Sequence, residues 1–182
     1  MNKVAKIMAP VLWMLILISA CNDSDTTVTA YDEILNRPPY ADLTDSIKQE
    51  PGKAEFYFRR AILLNTNSLP EPALADFQKA WSLKKEEQYA LGVATLLLDK
   101  KPEEAITFLN MAIKDIPNSL LLQLSLARGY DAANKTEEAL KIGDMILEKN
   151  PEQVDVLKMK ADLLAKKGNT YEATAILEKA YT

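Results

Sequence analysis

Paired carboxylates are the side chains of this sequence that could most readily do chemistry. Two neighbouring acidic groups can act as general acid and general base, or bind a cation together. Such doublets occur at Glu86-Glu87, Glu103-Glu104 and Glu137-Glu138. The latter two fall where a helix is predicted to begin, and the helix dipole favours negative charge there. A structural role therefore explains these doublets better than a catalytic one.

The inventory of reactive side chains is short. The chain contains no histidine, and Cys21 is its sole cysteine. This excludes a disulfide within the chain, Ser-His-Asp and Cys-His nucleophile systems, and metal sites built from His and Cys. We therefore predict no catalytic residue, no metal and no cofactor, and we expect the protein not to be an enzyme.

The charge balance argues against nucleic acid as a partner. The 182 residues carry 22 basic and 26 acidic side chains, a net charge of −4, and removal of residues 1–20 would change this to −6. Binding to nucleic acid depends mainly on neutralising phosphates with a concentrated basic surface. The sequence has no such basic stripe, although it is long enough for a domain with a real core.

The N-terminus is typical of an export signal. Lys3 and Lys6 precede a run of low polarity over residues 7–20. As a helix this run would span roughly 21 Å, less than the roughly 30 Å of a membrane's hydrocarbon core. The order of basic, apolar and small residues predicts a signal peptide over residues 1–20. A permanent transmembrane anchor and a buried core helix are the alternatives.

The end of this run, Ile18-Ser19-Ala20-Cys21, resembles the lipobox of bacterial lipoproteins, although Ile18 stands where that pattern usually has Leu. The resemblance implies cleavage before Cys21 and attachment of acyl chains, such as palmitate, to this residue. Several acyl chains anchor a protein stably, whereas a single chain does not. An ordinary secretory signal followed by a free cysteine is the alternative. We interpret residues 21–39 as the lipidated cysteine and a flexible tether.

The remainder of the chain repeats itself. Four segments, 54–85, 86–119, 120–153 and 154–182, align with each other. In this alignment alanine occupies ten of twelve equivalent positions, which are Ala73, Ala105, Ala139 and Ala173, then Ala61, Val93, Ala127 and Ala161, then Ala80, Ala112, Ile146 and Ala180. Each segment holds two stretches of helical apolar periodicity separated by a short polar break. Alanine at crossing points lets two helix axes approach closely, so each segment is predicted to be an antiparallel helix pair.

The period of about 34 residues and the small-residue positions resemble the tetratricopeptide repeat. The resemblance covers residues 54–182, and residues 40–53 look like the second helix of a degenerate half-repeat. It implies an all-α, right-handed α-solenoid of about 3.5–4 repeats, with a plain helical bundle as the alternative. The sequence departs from the family pattern at Arg60, Lys85, Gly143 and Ile146.

In this family the first helix of each repeat lines a concave groove that binds a peptide or helix of a partner. Carried over by position, the resemblance gives the groove candidates Phe58, Ile62, Asn65, Leu97, Leu124, Arg128, Asp131, Lys158 and Asp162. The cation and asparagine set with which some members clamp a terminal carboxylate is not reproduced here.

These observations predict a non-enzymatic lipoprotein that acts as an interaction scaffold in the bacterial envelope. It would be lipid-anchored, with the outer membrane, on its periplasmic or surface face, as the expected location. One alternative is a structural protein that forms homo-oligomers through an uncapped C-terminal repeat. The other is a non-catalytic subunit of an envelope enzyme complex.

Overall fold

A computed structural model describes residues 31–181, and all regular secondary structure within this range is helical. Helix α1 covers 31–35 of the described residues, and nine further helices follow. They are α2 (Ala41–Gln49), α3 (Ala54–Thr66), α4 (Pro70–Leu83), α5 (Glu87–Leu98), α6 (Pro102–Asp115), α7 (Leu120–Ala132), α8 (Thr136–Lys149), α9 (Val154–Lys166) and α10 (Thr170–Ala180).

From α2 onwards, helices that are consecutive in the chain pack against each other, and α5 also packs against α7. The pairs α3–α4, α5–α6, α7–α8 and α9–α10 therefore form four stacked units. Within each pair we call the earlier member the first helix and the later member the second helix. Since every unit contacts mainly its neighbours, the fold is an extended solenoid.

The turn inside a unit has a recurring backbone conformation. Ser68, Asn134 and Gly168 occupy one repeat position, and their φ angles are 61°, 59° and 88°. The next residue donates its N–H to a carbonyl five residues back, as Leu69 does to Leu64 at 3.0 Å. This Schellman-type closure satisfies a carbonyl at the end of the first helix and reverses the chain.

The starts of the helices also follow from the sequence. Proline occupies the first position of α4 and of α6, where its missing N–H and fixed φ cost nothing. Ser119 caps α7, because its Oγ accepts the N–H of Leu122 at 3.0 Å. The residue types at these positions therefore mark where α4, α6 and α7 begin.

Small residues sit where helices cross. Ala61, Ala73 and Ala80 are completely buried, as are Ala105, Ala112 and Ala139. Gly92 of α5 packs directly on the ring of Phe77 in α4, and a Cβ at Gly92 would lie 2.5 Å from Phe77 Cδ1. The neighbouring units approach so closely here that the position has no room for a side chain.

The region before α2 differs from the predicted tether. Ile34 and Leu35 pack against a core cluster that includes Leu64 and Phe77, and Tyr40 is 5% exposed. The Thr44 hydroxyl donates a hydrogen bond to the Leu35 carbonyl at 2.7 Å. Residues 31–39 are therefore helix and turns joined to the fold, because their apolar side chains cover the otherwise open side of the first unit.

The predicted signal peptide, Cys21 and the first part of the predicted tether lie outside the described residues. Within residues 31–181, no helix combines the length and apolar character needed to span a membrane.

Candidate functional site

A groove runs between the first helices of the third and fourth units, α7 and α9. Its volume is about 640 Å³. The lining residues are Leu121, Leu124, Ala127, Arg128, Asp131, Ala132, Asp155, Lys158, Met159, Asp162, Leu163 and Lys166. Because the two helices present apolar residues below and charged residues above, the groove has an apolar floor and two charged rims.

The floor is held rigidly by the core beneath it. Leu124 is 6% exposed and packs in a cluster with Ile146 and Val156. Leu163 is 4% exposed and packs in a cluster with Ala127 and Ala139 of the preceding unit. The floor therefore belongs to the interface between two repeats, which fixes its shape before any partner binds.

Leu121 is the exception on the apolar floor, since half of its surface (50%) is exposed. It is the second residue of α7, and the equivalent residues of the other units are Glu55, Glu87 and Asp155. Acidic residues at this point are stabilised by the helix dipole, whereas leucine gains nothing from it. Leu121 thus replaces an acid with an exposed apolar side chain inside the groove.

One end of the groove is closed by an ion pair. Lys166 Nζ of α9 lies 2.7 Å from Asp131 Oδ1 of α7, so these two charges neutralise each other across the groove. Within residues 31–181, the remaining rim residues Arg128, Asp155 and Asp162 make no ion pair. Those three charges are available to a ligand.

Lys158 lies beside an exposed aromatic ring. Its ammonium group is 5.5 Å from the ring centroid of Tyr181, which follows α10 and is 72% exposed. A cation at this distance is attracted to the ring face, and the contact draws Lys158 towards the Tyr181 side. Tyr181 extends the apolar surface next to the groove.

Five of the predicted groove residues come together in this groove: Leu124, Arg128, Asp131, Lys158 and Asp162. Lys166, which closes it, pairs with one of them. The repeat register thus brings the candidates of the third and fourth units onto one surface.

The other four candidates do not join them. Phe58 is half-buried, with its ring centroid 4.9 Å from Tyr89 and 5.7 Å from Phe77. Ile62 is 46% exposed and Asn65 is exposed, both on α3 and away from the α7–α9 groove.

Leu97 does not line the α7–α9 groove: its side chain is 4% exposed, packs in the core between the first and second units, and borders a separate opening beside Gln78 and Met111. The cause lies in α5, where Ala90 and Ala94 are almost completely buried. With such small side chains, α5 packs tightly against its neighbours.

Sequence reasoning missed Leu121, Asp155, Met159 and Leu163 as groove residues. Only Leu121 could have been recognised from the sequence, because it is a leucine at a repeat position that is acidic in the other three units. Met159 and Leu163 look like ordinary core residues in the sequence, since nothing in their pattern shows that one side of each faces an opening.

The acidic doublets are engaged in ion pairs. Glu103 lies 2.8 Å from Lys135 Nζ, and Glu137 lies 2.8 Å from Lys167 Nζ, in each case across two successive units. The hydrogen bond from Lys167 lowers the pKa of Glu137, and the one to Glu103 raises the pKa of Lys135. Glu86 pairs with Lys84, whose hydrogen bond lowers the pKa of Glu86.

These pKa shifts stabilise the charged forms, which is the opposite of what a general acid needs near neutral pH. In the described part of the chain, no group of three or more acidic or metal-binding side chains is arranged to hold a metal ion.

Comparison with known proteins agrees with this architecture. A family model described as "Tetratricopeptide repeat" matches residues 96–163, which include α7 and most of α9. No curated protein sequence matches the chain significantly.

Several solved structures share the fold. The "Crystal structure of MamA" has a TM-score of 0.65 at 17% identity, covering 87% of this chain and 91% of that one. The Pseudomonas aeruginosa pilF structure has a TM-score of 0.62 at 18% identity, covering 86% and 73%. A tetratricopeptide repeat protein from Parabacteroides merdae has a TM-score of 0.58 at 18% identity, covering 86% and 60%. The predicted all-α, right-handed solenoid of antiparallel helix pairs is confirmed.

Proposed function

We propose that this tetratricopeptide-repeat chain is a membrane-anchored scaffold of the bacterial cell envelope that binds a peptide or helix of a partner protein. The α7–α9 groove carries this proposal, since it joins a preformed apolar floor to charges that have no ion-pair partner among residues 31–181. Concave sites of this composition suit an amphipathic segment better than a small polar metabolite. Tetratricopeptide repeats generally serve protein–protein interaction, which supports the same conclusion.

The membrane anchor rests on the sequence at Ile18-Ser19-Ala20-Cys21 and on the apolar run before it. We propose that lipid on Cys21 attaches the solenoid to a membrane of the envelope, with the outer membrane as the preferred location. Since α1 is already joined to the fold, residues 31–39 do not belong to a flexible tether, which the sequence had predicted to extend to residue 39.

A charge introduced into the groove tests the scaffold proposal. In Leu121→Asp a carboxylate replaces an exposed apolar side chain, so the core stays intact while the apolar contact is lost. We expect affinity purification of the full chain from crosslinked native membranes to recover a partner with the wild type, and at least about tenfold less of it with Leu121→Asp.

Met145→Asp is the matched control, because Met145 is 52% exposed on α8 and does not line the groove. This variant should keep the partner. If Leu121→Asp retains every interactor of the wild type, the groove is not the binding site and the proposal fails.

A second candidate function is self-association, and exposed aromatic side chains favour it. Tyr171 of α10 is 89% exposed, Tyr181 is 72% exposed, and the apolar Ile176 and Leu177 nearby are only half-buried. In this candidate, α10 of one copy packs on a second copy, and the protein is a homo-oligomeric envelope component.

A further inference from the structure

The α7–α9 groove has rims of opposite charge once its internal ion pair is taken into account. On the α7 side Asp131 is paired with Lys166, which leaves Arg128 as the free charge. On the α9 side Asp155 and Asp162 outnumber Lys158, whose ammonium lies against the Tyr181 ring. The α7 rim is therefore net positive and the α9 rim net negative.

These two rims flank the apolar floor along its length. Arg128 and Asp162 occupy the same position in successive repeats, so they lie opposite each other on the neighbouring helices α7 and α9. They are not paired with each other, since no ion pair within 4.0 Å joins them. Both charges therefore face the space where a ligand would lie.

We propose that the groove selects an amphipathic helix whose apolar stripe has acidic residues along one edge and basic residues along the other. The apolar stripe contacts Leu121, Leu124 and Met159, the acidic edge faces Arg128, and the basic edge faces Asp155 and Asp162. A helix fits this pattern better than an extended strand, because its apolar stripe is bordered by two separate polar edges. This inference rests on the proposed function and adds the charge pattern of the partner.

Leu121 supports the same ligand. Had the acid of the other three units been kept at this position, its negative charge would offset that of Arg128, and the α7 rim would have no net charge. Leucine removes that charge and supplies apolar contact in its place, so it makes the rims opposite in sign.

Three synthetic helical peptides test the inference with the full chain in detergent. All three have the same stripe of leucines and differ in the residues along its two edges. The first peptide has Glu along both edges, the second has Lys along both edges, and the third has Glu along one edge and Lys along the other. Fluorescence anisotropy measures each affinity. We expect the mixed peptide to bind about tenfold more tightly than either uniform peptide. Reversing a helix in the groove exchanges its two edges. The mixed peptide can therefore match both rims in one of its two directions, whereas a uniform peptide matches only one rim in either direction.

Charge variants of the rims provide the decisive comparison. Arg128→Glu makes both rims negative and should change the preference to the peptide with two Lys edges. Asp155→Lys with Asp162→Lys makes both rims positive and should change it to the peptide with two Glu edges. Met145→Asp, which lies outside the groove, should retain the wild-type preference.

The inference is overturned if the three peptides bind the wild type equally, if none binds, or if the rim variants leave the ranking unchanged. Loss of the captured partner in Leu121→Asp, with Met145→Asp as its control, would still stand in those cases, so failure of this inference is distinguishable from failure of the proposed function.

Discussion

Arg60 carries a charge into the core between the half-repeat and the first unit. Its Nε and Nη2 donate to the two carboxylate oxygens of Asp76 at 2.7 and 2.8 Å, and its Nη1 donates to Thr44 Oγ1 at 3.0 Å. Thr44 in turn donates to the Leu35 carbonyl. Burial raises the pKa of Asp76, while the hydrogen bonds from Arg60 act in the opposite direction. The departure from the family pattern at Arg60 is thus explained by a network that joins α1 and α2 to the first unit.

Removal of one partner should cost more than removal of both charges. We expect Arg60→Met to lower the free energy of unfolding by about 3 kcal/mol, because it leaves Asp76 buried without its cation. Arg60→Met combined with Asp76→Leu should recover a large part of that loss. Chemical denaturation followed by circular dichroism measures Arg60→Met, Asp76→Leu and the double variant, and a double variant as unstable as the sum of the two single variants would contradict this account.

Cys21 is the residue on which the anchor depends. Cys21→Ser keeps the size of the side chain and removes the sulfur that would be acylated, so we expect the solenoid to fold normally while the protein is released from membranes or stays unprocessed. Membrane fractionation and the mass of the mature protein measure this. A Cys21→Ser protein that is fully processed and still membrane-bound would refute the lipoprotein interpretation.

At the scale of elements, contacts between successive units determine the shape of the solenoid. Three ion pairs cross these interfaces, and their acids occupy one repeat position: Glu71 binds Lys100, Glu103 binds Lys135 and Glu137 binds Lys167. All are exposed, and exposed pairs contribute little to stability. The apolar contacts beneath them, such as Phe77 on Gly92, are buried and hold the units together.

A single methyl group at Gly92 tests this packing. Gly92→Ala would place its Cβ 2.5 Å from the Phe77 ring, and we expect a loss of about 1–3 kcal/mol despite the better helix propensity of alanine. Phe77→Leu removes the ring that the new Cβ would contact, so it should partly rescue the stability of Gly92→Ala. Gly52→Ala is the control, because nothing lies within 4 Å of its Cβ position. Thermal unfolding compares the wild type, Gly92→Ala, Gly92→Ala with Phe77→Leu, and Gly52→Ala. A Gly92→Ala protein as stable as the wild type would contradict the close contact between Gly92 and the Phe77 ring.

At the scale of the whole molecule, the two ends of the described solenoid differ. α1 and α2 cover the first unit, whereas α10 leaves Tyr171 exposed at the position that Glu71, Glu103 and Glu137 occupy in the other units. In those units the acid binds a lysine of the next repeat. Tyr171 replaces this charged contact with an exposed aromatic surface, which suits a protein interface.

Self-association through this surface predicts a concentration-dependent mass. The full chain in detergent should become larger over a hundredfold rise in concentration, as measured by light scattering after size exclusion. Tyr171→Glu should shift it towards the monomer, because it restores the acid of the other repeats. A strict monomer at every concentration would eliminate the self-association candidate.

The sequence alone determined the helix pairs and their order. Proline and left-handed turn residues mark helix ends locally, and alanine at a period of about 34 residues marks the crossings, so these features need no knowledge of the whole fold. The resemblance to the tetratricopeptide repeat, carried over by position, predicted five of the residues that line the groove. The sequence pattern did not predict that residues 31–39 are folded, since this depends on contacts of Ile34 and Leu35 with core residues that are distant in sequence.

The tertiary structure decided which parts of the predicted groove are open. Leu97, Leu124 and Leu163 are all nearly buried leucines of first helices, yet Leu124 and Leu163 lie beneath the α7–α9 groove while Leu97 borders a different opening beside α4 and α6. The difference comes from the small Ala90 and Ala94, which let α5 pack closely, and from the charged residues of α7 and α9, which cannot be buried without partners. Exposure is a property of how several helices fit together, and a pattern along one helix does not contain it.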